Sequence, residues 1–144
     1  MNAPAAAPSL IQSIYLSSAV ELFTEAQLVE LLRKSGANNE RHGVSGMLLY
    51  QGGNFIQVLE GPVEAVDRVL ARVAKDPRHR GVIVMSRRPV AEREFGEWSM
   101  GFATMTADEI AGFSGFMRIL PTAPDPEDSR RAHKMLAGFR SRMR

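Results

Sequence analysis

Cysteine is absent from all 144 residues, which excludes disulfides, thiolate metal sites and cysteine nucleophiles and makes a reducing cytoplasm the simplest address. Long apolar runs are missing too. The first nine residues form an Ala/Pro stretch without positive charge, so neither a signal peptide nor a membrane span is read there. An excess of charge of one sign is also missing: 18 Lys and Arg against 16 Asp and Glu leave a formal net charge of +2, and the isoelectric point near 9.4 reflects Arg and Lys gathered after Ser129. Nucleic-acid binding is therefore not indicated. His42, His79 and His133 lack metal-ligand spacing, so no metal is expected. No P-loop, serine elbow, paired-carboxylate motif or dinucleotide glycine fingerprint occurs.

What is present reads as one compact domain of alternating strands and helices. Leu10 to Leu16 alternates as a strand does, with Ile14 and Leu16 on one side and Ser13 and Tyr15 on the other. Thr24 and Gln27 make a capping-box signature, after which Leu28, Leu31 and Leu32 recur at helical spacing until Gly36. Met47 to Tyr50 and Phe55 to Leu59 flank Gly52 and Gly53, which predicts an antiparallel hairpin. Pro62 opens a second helix striped by Val63, Val66, Val69, Leu70 and Val73, which stops before Pro77. Gly81 to Val90 is the fourth strand, with Pro89 marking its end or a sheet edge, and Trp98 to Thr104 is the fifth.

The order βαββαββ, with right-handed crossovers, predicts a ferredoxin-like α/β sandwich: a mixed five-stranded sheet carrying two helices on one face. Residues 1–9 read as a disordered lead-in, 10–104 as the domain, and 105–144 as a C-terminal helical extension. Within that extension Glu127 to Phe139 resumes a helical pattern. Its acidic start and basic end suit the helix dipole.

Gln57 is the oddest residue along the chain, an amide on the same strand face as Phe55 and Leu59. Buried without partners it costs about 1 to 3 kcal/mol, so protein or ligand must satisfy it. Taken alone, such a Gln is a structural amide about half the time. Tyr15 lies on the opposite side of its strand from Ile14 and Leu16, so it shares a layer with Gln57 if the first and third strands are neighbours; alone it is an ordinary core tyrosine. Asn38 and Asn39 fall in the loop Gly36 to Ser45, where Asn commonly serves as a helix C-cap or bend. Either amide gains meaning beside a planar heteroaromatic that it can read bidentately.

Five segments in register then resemble one family: Tyr15 to Ser18, Asn38 to Gly46, Asn54 to Gly61, Asp76 to His79, and Phe95 to Met100. Together they are similar to BLUF domains, blue-light sensors with a non-covalent flavin, over about Leu10 to Thr104. The family fold is the same βαββαββ sandwich. One departure is Leu16, where many members carry a polar residue after the tyrosine.

The resemblance implies FAD, with FMN and riboflavin as alternatives, lying between the two helices. It makes Tyr15 the electron and proton donor, Gln57 the switching amide, and Asn39 the ring anchor with Asn38 in reserve. Arg78 and His79, read as exposed turn residues, approach the ribityl or phosphate part, as does Ser35 more weakly. Trp98 and Met100 are both candidates for the place near Gln57, with Met100 favoured as relay. Light chemistry through a cysteinyl adduct is excluded by composition.

The resulting expectation is a cytoplasmic, non-enzymatic, homo-oligomeric photoreceptor that signals to a partner protein. Its C-terminal helix would carry the signal, packing Ala132, Met135, Leu136 and Phe139 on the free sheet face. Two other readings stand beside it, because fold alone rejects neither. One is an acylphosphatase-like hydrolase handling phosphate with Arg and Asn; the other is a colourless interaction module.

Overall fold

A computed structural model describes residues 9–96, 101–102 and 126–140. Chain order is β1 (Leu10–Ala19), α1 (Glu25–Arg41), β2 (Ser45–Gln51), β3 (Asn54–Pro62), α2 (Val63–Lys75), β4 (His79–Val90), β5 (Gly101–Phe102) and α3 (Pro126–Arg140). The strands form one sheet in the order β4-β1-β3-β2-β5. The first four pair antiparallel, and β5 joins β2 in parallel. This is the expected ferredoxin-like arrangement, with β1 and β3 central and Pro89 on the edge strand β4, where a missing N–H is tolerated. Of the expected fifth strand, Trp98 to Thr104, only Gly101 and Phe102 lie among the described residues.

Local chemistry explains the elements. Thr24 closes its capping box with Gln27: the Thr24 hydroxyl accepts from the Gln27 N–H at 3.1 Å, and the Gln27 side chain accepts from the Thr24 N–H at 2.9 Å. Gly52 and Gly53 take φ of 58° and 87°, the left-handed pair that a two-residue hairpin between right-twisted strands requires.

One boundary differs from the sequence reading. Helix α1 does not stop at Gly36 but runs to Arg41, so Asn38 and Asn39 occupy its last turns. A mid-helix glycine costs about 1 kcal/mol against alanine, too little to end a helix that is packed on a sheet, and Gly36 is buried. The stop comes at His42, whose Nδ1 lies 2.8 Å from the Asn38 carbonyl, followed by Gly43 at φ 70°.

Side-chain alternation divides the core into two layers. Tyr15, Phe55 and Leu59 face α1 and α2, where they meet Leu28, Leu31 and Leu32 from α1 and Val66, Val69 and Val73 from α2. Ile14, Leu16, Ile56 and Val58 face the other way and are covered by Ala132, Met135 and Leu136 of α3, as the helical pattern anticipated. The Phe139 side chain lies outside the described residues. Leu16 is therefore core to the α3 layer, which accounts for an apolar residue directly after Tyr15.

Leu136 is fully buried in that layer. Leu136→Ala is expected to destabilise the fold by about 2 to 5 kcal/mol through lost burial and a residual cavity. Denaturant unfolding monitored by circular dichroism checks this, and a change within error would show that α3 is not anchored there.

Candidate functional site

The β1–β3 register sets Tyr15 directly opposite Gln57, so both side chains rise from the sheet into the gap between α1 and α2. Cross-strand partners sit about 4.5 to 5.5 Å apart, close enough for a phenol to reach an amide. The Tyr15 hydroxyl donates to Gln57 Oε1. Tyr15 is 1 % exposed and Gln57 8 %. Burial pushes the Tyr15 phenol far above its ordinary pKa, so the group stays neutral and keeps its proton for donation.

Over this pair lies a cavity of about 240 Å³. One wall is the α1 face carrying Leu31, Lys34, Ser35, Asn38 and Asn39; the other is the α2 face carrying Val69, Arg72 and Val73. Leu48 and Phe55 complete an apolar floor around Tyr15 and Gln57, and Asp76, Arg78 and His79 stand at the end of α2. Six of the eight expected binding residues, Tyr15, Ser35, Asn39, Gln57, Arg78 and His79, thus line one space. Trp98 and Met100 lie outside the described residues.

The two asparagines separate cleanly. Asn39 is 1 % exposed, and its backbone carbonyl accepts from Val44 N at 2.8 Å. Asn38 is half-buried, and its Oδ1 accepts from Arg72 at 2.8 Å, tying α1 to α2. Arg72 and Lys34 escaped the sequence reading because a cation on a helix is ordinarily solvated and carries no signal of its own. Phe55 was visible as a same-face neighbour of Gln57 but read as plain core.

His79 corrects the reading as an exposed turn residue. It is the first residue of β4 and half-buried. Its Nδ1 lies 3.2 Å from Ser17 Oγ, and its ring packs on Phe55 with centroids 4.8 Å apart. Strand pairing of His79 with Ala19 draws it inward. Arg78 is exposed as expected, but its fork is occupied: Nε and Nη2 both donate to Asp76, the latter at 2.8 Å. Those hydrogen bonds bring the Asp76 carboxyl down to about 2. The Arg78 guanidinium also sits 5.7 Å from the Phe23 ring centroid.

Chemically, the cavity offers two buried amides and a neutral phenol within apolar walls, with cations at its edge. That donor set suits a flat, apolar ring with peripheral carbonyls and ring nitrogens, joined to an anionic tail. Among the described residues no cluster of His, Asp and Glu could hold a metal ion.

Burial lowers the His79 pKa; the Asp76 carboxylate opposes this and the Arg78 charge adds to it. The unfolded chain therefore binds a proton that the folded chain resists. This contribution to stability is full above the ordinary histidine range, about 6.5, is lost as pH falls through it, and levels off once the folded imidazole is protonated. The denaturant midpoint is expected to drop between pH 7.5 and 5.5, and to drop less in His79→Phe. Equal drops in both proteins would remove His79 from this role.

Comparison with known proteins agrees with this geometry. A family model described as sensors of blue-light using FAD matches residues 10–101. The photoactivated adenylate cyclase subunit alpha of Euglena gracilis is 32% identical over 111 residues, 77% of this chain. A subunit alpha-like protein of the same organism is 37% identical over 117 residues, 81% of the chain. The chain spans only 11% of the length of either relative. Among solved structures, the dark state of the BLUF protein BlrB superposes with TM-score 0.72 at 30% identity, covering 91% of this chain and 97% of that one. The photo-activated state of BlsA, 23% identical with TM-score 0.74 over 89% of this chain and 94% of its own, shares the fold. The family match runs from β1 to the start of β5 and takes in every described wall of the cavity, and the chain belongs to the BLUF family of blue-light sensors.

Proposed function

We propose that this chain holds FAD in the cavity between α1 and α2 and reports blue light through the Tyr15–Gln57 hydrogen bond, passing the change by way of α3 to a partner protein. The observation that carries the proposal is the bond itself: Tyr15 donates to Gln57 Oε1 inside the wall of the cavity. Flavin, when bound, supplies the blue absorption and, once excited, an oxidant.

Tyr15 and Gln57 supply the rest. A phenol whose pKa is raised by burial does not ionise near neutral pH, so its proton leaves together with an electron. The group placed to receive that proton is Gln57 Oε1. An amide has a carbonyl end and an NH₂ end, so Gln57 has two ways to face Tyr15: accepting through Oε1, or donating through Nε2. Each presents a different group to the cavity, which gives the protein two states for light to choose between.

Asn39, buried at the α1 end, is the anchoring amide in this reading, and Asn38 is committed to Arg72. Asp76 occupies much of the Arg78 fork. Lys34 and Arg72, also on the cavity rim, join Arg78 and His79 as partners for an anionic tail, with Ser35 beside them. FAD is favoured over FMN and riboflavin because the cations Lys34, Arg72 and Arg78 have most to hold in a dinucleotide. The phosphate-handling hydrolase weighed from the sequence gains nothing, since the family match takes in every residue lining the cavity.

We place within the same proposal a cytoplasmic address, a homo-oligomeric state, and an output of protein interaction without catalysis. Among the described residues no helix is long and apolar enough to cross a membrane.

Purified protein is expected to be yellow and to show a small reversible red shift of its flavin bands under blue light. A colourless protein that also fails to take up added flavin would overturn the reading. Tyr15→Phe and Gln57→Leu should each keep the flavin and lose the shift, and a normal shift in either would refute the switch. Asn39→Ala should retain less flavin after gel filtration; full retention with an unchanged spectrum would show that Asn39 is not the anchor.

A further inference from the structure

Three residues before Tyr15 and three after Gln57, the same two strands carry a second polar pair. Gln12 and Glu60 are register partners. An odd offset along a strand reverses the side chain, so this pair faces α3 while Tyr15 and Gln57 face the cavity. Both are completely buried, on a face otherwise built from Ile14, Leu16, Ile56 and Val58.

Every polar end of this pair is committed. Gln12 Nε2 donates to Glu60 Oε2 at 2.8 Å and to Glu94 Oε2 at 3.2 Å, while Gln12 Oε1 accepts from Arg88 at 3.2 and 3.3 Å. Glu60 takes two backbone N–H groups from the segment after β4, Glu94 at 2.9 Å and Phe95 at 2.5 Å. Glu94 Oε2 lies 2.7 Å from His133 Nε2 on α3. One buried amide thus joins β1, β3, β4, the segment beyond β4 and, through a single carboxylate, α3. On α3 Ser129 makes a further polar tie to the sheet, donating to the Met85 carbonyl.

We propose that Gln12 is a positioning residue that transmits the rearrangement at Tyr15–Gln57 to α3 through Glu94 and His133. The inference rests on the switch reading given above. The two pairs lie about 10 Å apart along the same strands, at about 3.3 Å per residue, so a shift of β1 against β3 at one displaces the other. Hydrogen bonds to a carboxylate are short and directional, so they pass on a displacement that apolar packing would absorb. Burial raises the Glu94 pKa, but hydrogen bonds from His133 and Gln12 outweigh it and hold the carboxyl below its ordinary value, so near neutrality Glu94 accepts from both donors. An apolar residue at position 12 would fill the same layer without linking these elements.

The test is hydrogen exchange of the amides of residues 127–138 in dark and lit protein, with the flavin red shift recorded on each sample. Wild type is expected to show a several-fold faster exchange in the light. Gln12→Leu and His133→Leu should keep the red shift but bring the lit-to-dark ratio close to one, whatever their dark rate. His133→Gln, which keeps a donor for Glu94, should restore the ratio. If Gln12→Leu fails to fold, the two His133 variants, altered at a half-buried position on the far end, decide alone. Variants that shift normally and keep the wild-type ratio would overturn the relay, as would a wild type that shifts without any response in α3. A wild type with no red shift would instead remove the switch reading, and the relay with it.

Discussion

The antiparallel register that sets Leu10 against Pro62 and Ser18 against Asn54 governs what every polar group in this domain can reach. It places Tyr15 opposite Gln57 on one face and Gln12 opposite Glu60 on the other. Side chains along a strand alternate with a period of two, so a slip of one residue would send each of these groups into the wrong layer. Gln57 would then lie among Ile14 and Leu16 with its amide unpaired, at a cost of about 1 to 3 kcal/mol. The register is therefore held by its polar pairs as well as by the apolar layers, since only one alignment satisfies both.

Much of this was legible in the sequence, and the reason is local. Period-two alternation in Leu10 to Leu16, the Gly52-Gly53 turn and the valine stripe of α2 each express a rule that operates within a few residues. Hence the fold and the placement of Tyr15 and Gln57 in a shared layer could be read before any coordinates. The end of α1 could not. Gly36 is a helix breaker by propensity, and what carries the helix past it is burial against the sheet, a tertiary effect no window of sequence contains. The half-buried state of His79 was hidden for a similar reason, because it depends on pairing with Ala19, sixty residues earlier.

The second polar pair shows a different kind of blindness. Gln12 and Glu60 stand at positions where the alternation predicts apolar residues, yet a lone Gln or Glu in a strand reads as an exposed position. Glu60 is satisfied by two backbone N–H groups more than thirty residues away and by Gln12. Such a group becomes informative only when its donors are known, because burial of a carboxylate is tolerated just where several N–H groups converge on it.

A sheet with a ligand cavity on one face and a helix on the other suits non-covalent signalling for a physical reason. Interiors are packed too densely to deform gradually, so a change confined to side chains must either be absorbed locally or move a whole strand. Tyr15 and Gln57 are bonded across the two central strands, and those strands are shared by both layers. A new hydrogen-bonding geometry between them, as the proposed switch requires, would alter a spacing that the α3 layer also depends on. Had the phenol and the amide both risen from one helix, the same exchange of bonds would have tilted that helix and left the far face untouched. In the proposed switch, the choice of partners on adjacent central strands makes a displacement common to both faces, and the hydrogen bonds of Gln12, Glu94 and His133 carry it on to α3.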